Sequence, residues 1–196
     1  MWPVYVEACS LIFTITLNKE EFMIKHLVIS ALGDDKPGIV KSVSKQILDA
    51  GGNISDSRMG VLGDEFALIM LVDGNEAAIK TIQLLLPKLE SELGLTIISK
   101  ETGVMAKEEA RLPYDVEVVA MDNPGIVHDV TDFLSSKQIN VEEMATSSYA
   151  AAHTGTTMFS MEMSVSVPAT MNIASLKNEF LEFCDEMNLD ATMSAH

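Results

Sequence analysis

The residues best placed to do chemistry are Asp35-Lys36-Pro37-Gly38-Ile39-Val40, and they recur as Asp122-Asn123-Pro124-Gly125-Ile126-Val127, 87 positions later. Each copy follows a short apolar run and precedes apolar residues at helical spacing. A strand, a Pro-Gly turn and a helix start leave backbone N–H groups without helical partners. Such groups can receive an anion, for example a carboxylate. A plainer reading of one such turn is that it only connects strand to helix. The exact spacing of two copies calls for an account of the whole chain.

Other chemistry is scarce. Cys9 and Cys184 make no CxxC pair, which suits a reducing cytoplasm. The four histidines, His26, His128, His153 and His196, are far apart and have no metal-ligand spacing with each other or with cysteine. His128-Asp129 is the only catalytic-looking pair, but adjacent residues on a helix do not face one another. We find no nucleophile–base pair and no Gly-rich phosphate motif. A phosphate hydrolase on this scaffold would want an arginine in the loop after the first strand. Lys36 and Asn123 stand there instead. The sequence therefore predicts no catalytic residues, no metal and no cofactor.

The formal charge is −16 over 196 residues, and Arg58 and Arg111 are the only arginines. Nucleic-acid surfaces need clustered basic residues, so direct DNA or RNA binding is not expected.

The elements that carry the turns follow from periodicity. Residues 27–32 read as a strand. Ile39, Val43 and Ile47 form the stripe of an amphipathic helix that Gly51-Gly52 ends. Asn53 to about Val61 and Glu65–Val72 read as a hairpin about Gly63-Asp64. A second helix is predicted from Glu76 to Leu93, with a kink or break at Pro87, and then a strand from Leu95 to Ser99. The order is βαββαβ. Residues 113–196 repeat it: a strand at Asp115–Ala120, helical Ile126, Val130 and Leu134, and Asn140-Val141 in the place of Asn53-Ile54. Phe159 to Val167 alternates strictly with serine and glutamate. A helix through Ile173 to Met187 and a weak strand at Leu189–Met193 close the chain.

The fold class is therefore α+β: two ferredoxin-like units in tandem, each a four-stranded antiparallel sheet with two helices on one face. The expected boundaries are residues 23–100 and 113–196, with a charged linker at 101–112. Residues 1–22 read as an extension before a native start at Met23. Their apolar run at 11–17 is too short to span a bilayer. The third strand of the first unit has Ala67, Ile69 and Leu71 on the face away from its helices, so that face is expected to meet another sheet or domain, the other reading being cover by residues 1–22 or by the linker.

Two such units, each with a Pro-Gly-Ile-Val turn after its first strand, resemble tandem ACT domains. Three stretches are similar to the family of glycine cleavage system transcriptional repressors: Ala31 to Val40, Asn53 to Gly60 and Leu62 to Leu71. The resemblance covers residues 24–196 in architecture and is sharpest in the first unit. It implies a cytoplasmic, non-catalytic regulator that senses a small amino acid, glycine by expectation, and acts on a DNA-binding activator. The other reading is an ACT-type subunit that tunes a metabolic enzyme. The resemblance also implies that ligand sits by the first turn, contacted by Asp35 and Asn53, and by Asp122 and Asn140 in the second copy. Lys36–Val40 and Asn123–Val127 complete the expected sites. The family pairing of ACT sheets within one chain or across a homodimer is left open.

Overall fold

A computed structural model describes residues 24–103 and 110–196. The expected extension and Met23 lie outside the described residues, as does the middle of the expected linker. The chain divides into two compact units between Val104 and Met105.

The first unit runs β1 (Lys25–Asp34), α1 (Ile39–Asp49), β2 (Asn53–Leu62), β3 (Glu65–Gly74), α2 (Glu76–Leu93) and β4 (Leu95–Thr102). The second runs β5 (Arg111–Met121), α3 (Ile126–Ser136), β6 (Asn140–Ala150), β7 (Thr157–Pro168), α4 (Ile173–Glu186) and β8 (Asp190–Ala195). Both sheets are antiparallel, in the orders β2-β3-β1-β4 and β6-β7-β5-β8. This is the predicted ferredoxin-like pair. Even the irregularities repeat. The edge strands slip register at Ile54/Asp56 and at Val141/Glu143, the same place in each copy.

Three expectations need adjusting. The helix α2 is unbroken across Pro87. Pro87 is on the exposed side, where the carbonyl that loses its donor can turn to water, while Leu86 and Leu89 stay buried on the core side. Glu101-Thr102 and Arg111-Leu112, read as linker from their charge, belong to β4 and β5. Pro113 lies inside β5 rather than before it. It sits just beyond the last β5–β8 pair, Tyr114↔Ala195, where an edge backbone can spare its N–H.

Each helix pair covers one sheet face with its own core. Leu27, Ile29, Val43, Ile47, Val72 and Ile79 are fully buried in the first unit; Val116, Val118, Val130, Leu134, Met161 and Phe180 are in the second. Asn75 and Asn172 cap α2 and α4, their Oδ1 atoms accepting from Ala78 N at 2.8 Å and Ser175 N at 3.2 Å. The opposite sheet faces differ. In the first unit Ile69, Ser30 and Ile98 pair across β3, β1 and β4, with Ile69 48% and Ile98 68% exposed. Leu32 lies beside them, also exposed. In the second unit the same face carries Ser160, Glu162, Ser164 and Ser166 from β7.

Candidate functional site

Two turns, one after β1 and one after β5, are held by the same devices. Gly38 and Gly125 stand immediately before α1 and α3 with φ of 98° and 106°. That left-handed conformation favours glycine. Neither helix start is capped by a side chain, so the first-turn N–H groups have neither a helical partner nor a cap. Asp35 N donates to Asp64 O at 3.2 Å, and Asp122 N donates to Thr157 O at 3.0 Å. These bonds tie each turn to the neighbouring hairpin.

A cleft of about 410 Å³ opens on the first turn. Lys36, Pro37, Gly38, Ile39 and Ser42 form one wall, and the end of α2, from Ser91 to Gly94, forms the other. Lys36 Nζ pairs with Asp34 Oδ2 at 3.1 Å. The second turn has a cleft of about 400 Å³ lined by Asn123, Gly125, Ile126, Val127, His128 and Phe159. Just before that turn, Asp122 Oδ2 accepts from Ser148 Oγ at 3.2 Å, although Asp122 does not line the cleft, nor does Asp35 line the first. In the first copy Val61 takes the position of Ser148 and offers no such donor.

The structure does not bring Asn53 to Asp35. Asn53 pairs with Asp73, at the end of the sheet where β1 begins, whereas Asp35 follows the end of β1. With a strand rise of about 3.3 Å per residue, roughly 25–30 Å separates them. Asn140 likewise stands at the far end from Asp122. Its Nδ2 donates to Glu142 Oε1 at 2.9 Å, and Ser166 Oγ donates to the same oxygen at 2.7 Å. Those two hydrogen bonds, with Arg111 nearby, hold the Glu142 carboxyl below the usual carboxylate range. Asn140 is therefore part of a surface polar cluster. The turn and the asparagine of one copy cannot touch one small ligand together.

His128 lines the second cleft, but no hydrogen bond joins it to Asp129 among the described residues. No group of three or more His, Cys, Asp or Glu side chains among them could hold a metal ion. No described helix is long and apolar enough to cross a membrane.

Residues 25–100 match the family model described as "ACT domain". The chain is 30% identical over 169 residues to the glycine cleavage system transcriptional repressor of Escherichia coli (strain K12), spanning 86% of this chain and 89% of that protein. The chain belongs to the glycine cleavage system transcriptional repressor family. The match carries the relationship past the first ACT domain into the second unit, whose strand order repeats that of the first. A solved structure described as a putative glycine cleavage system transcriptional repressor is 28% identical, with a TM-score of 0.65 over 88% of this chain and 97% of its own. An unknown protein from Galdieria sulphuraria is 26% identical, with a TM-score of 0.72 over 89% and 99%. Membership of this ACT-domain family supports a regulatory role linked to amino-acid sensing.

Proposed function

We propose that this chain is a cytoplasmic, non-catalytic regulator of amino-acid metabolism that binds a small amino acid, glycine by expectation, and acts through a DNA-binding transcription activator. The observation that carries it is the pair of uncapped helix starts behind Gly38 and Gly125, each opening on a cleft. A ligand carboxylate suits the free N–H groups of such a helix start, and the aspartate before the turn, Asp35 in the first copy, supplies an acceptor for its ammonium. The formal charge of −16 favours a protein intermediary over direct contact with DNA.

Affinity is bounded. Glycine has so few heavy atoms that, at a ceiling of ~1.5 kcal/mol for each, binding reaches about −7.5 kcal/mol. That corresponds to a dissociation constant no tighter than roughly micromolar, suited to reading a metabolite pool. Titration calorimetry with glycine and serine tests the reading on wild type, Asp35→Ala and Asp122→Ala. Asp35→Ala should weaken binding about tenfold, the size of one lost charge-assisted hydrogen bond. The loss with Asp122→Ala measures the share carried by the second copy. No heat with any amino acid would refute the sensor.

The face bearing Ile69, Ile98 and Leu32 is suited to a second copy of the same sheet, since a two-fold contact sets one surface against itself. Ile69→Glu with Ile98→Glu should shift sedimentation equilibrium from dimer to monomer. A wild-type chain that sediments as a monomer at every concentration would rule the dimer out.

A further inference from the structure

The two turns are alike in backbone and unlike in charge. Lys36, Lys41 and Ser42 of the first copy become Asn123, His128 and Asp129 in the second, each at the same offset of 87. With His128 neutral, those exchanges make the second turn three charge units more negative. Met121 in the place of Asp34 returns one unit, so the net difference is two. The opposing charges at the first turn are largely paired: Asp34 with Lys36 at 3.1 Å, and Glu92 with Lys88 at 3.6 Å.

The decisive exchange is Ser42 for Asp129. Both side chains are half-buried on the first turns of their helices. Ser42 lines the first cleft as a neutral hydroxyl. Asp129 Oδ2 stands 3.4 Å from where a Cβ on Gly125 would be. The second helix start therefore already has a carboxylate beside it. A fixed negative charge there takes up the favourable field of the helix start and repels an arriving anion. Asp129 stands beside Gly125 at the edge of the second cleft, whose lining combines Asn123 and His128 with the apolar Ile126, Val127 and Phe159.

We infer that Asp129 makes the two clefts unequal: the first admits a carboxylate-bearing ligand, and the second excludes one. The inference rests on the proposed amino-acid site and names which copy fills that role. It makes Asp129 a specificity-determining residue, with Ser42 as its permissive counterpart.

Amide chemical-shift titration of the full chain with acetate and, separately, with glycine tests this. The expected result is that both ligands shift the amides from Gly38 to Lys41 and leave those from Gly125 to His128 in place. In Asp129→Ser the second set should begin to titrate, with at least a tenfold gain in affinity. In Ser42→Asp the first set should lose at least tenfold. The unperturbed remainder of each spectrum shows that the variants fold. Equal titration of both turns in wild type would overturn the inference and leave the sensor standing. So would a second turn that stays silent in Asp129→Ser while the first responds. Acetate shifting the first turn when glycine does not would keep the charge asymmetry and defeat the amino-acid reading. Silence of both turns towards both ligands would overturn both.

Discussion

Phe180→Ala should destabilise the second unit by about 3–5 kcal/mol, the usual cost of emptying a buried phenylalanine site. Phe180 is fully buried in the second core. Its ring centroid is 5.6 Å from that of Phe133, which stacks on Phe183 at 4.9 Å. Truncation removes the innermost ring of that set, and α3 and α4 cannot close the gap without leaving the sheet. A domain of this size has only about 5–15 kcal/mol of stability in total. The melting temperature should fall by about 4–8 °C for each kcal/mol lost. The cores of the two units contain different residues, so calorimetric melting of the variant should split. One transition should move down sharply, and one should stay near the wild-type temperature. Hydrogen exchange would assign them: protection should fall at Met161 and Val118 and persist at Leu27 and Val72. A single transition lowered by less than about 1 kcal/mol would mean that the core relaxes far more than its packing implies.

Gly33→Ala is the second large effect, and it acts on the backbone. An added Cβ would stand 2.7 Å from the carbonyl oxygen of Gly94 and 3.2 Å from Cα of Leu95. Those are main-chain atoms with no rotamer to change. The β1–β4 pair Gly33↔Leu95 would have to part, at an overpacking cost of about 1–3 kcal/mol. Gly94 also borders the first cleft, so the same shift should weaken ligand binding there. Thermal melting combined with calorimetric titration would show both losses together. Gly60→Ala is the control: nothing lies within 4 Å of its Cβ position, so it should melt with wild type. Equal melting of Gly33→Ala and Gly60→Ala would show that the strand end yields freely.

Much of the fold is legible from period alone. Ile39, Val43 and Ile47 recur at helical spacing because one face of α1 is buried and the rest is wet. The limits of α2 are plain because Gly94 adopts φ 69° immediately after Leu93. Strand ends are less legible. Lys25, Lys100, Glu101 and Arg111 look like flanking loop, yet they sit in strands. Their membership depends on main-chain pairing with distant partners, which side-chain polarity does not report. The site divides in the same way. The turns announce themselves by duplication. The separation of Asn53 from Asp35 does not, because a helix and a reversal of direction carry eighteen residues of chain to the opposite end of the sheet. The weight of Asp129 is also hidden, since it depends on where one carboxylate stands relative to Gly125.

Duplication of a domain ordinarily duplicates its adhesive surfaces, and a molecule with two of them can add neighbours at both ends without limit. Here the middle of the outer face of the second sheet is polar, with Ser160, Glu162, Ser164 and Ser166, and only its end is apolar, where Met121 and Tyr149 flank Met158. The same face of the first sheet exposes Ile69 and Ile98 at its centre. The two copies therefore offer unlike surfaces for sheet-to-sheet contact. A two-fold contact through the Ile69 and Ile98 face, as proposed above, would use that surface on both partners and so close on itself rather than propagate.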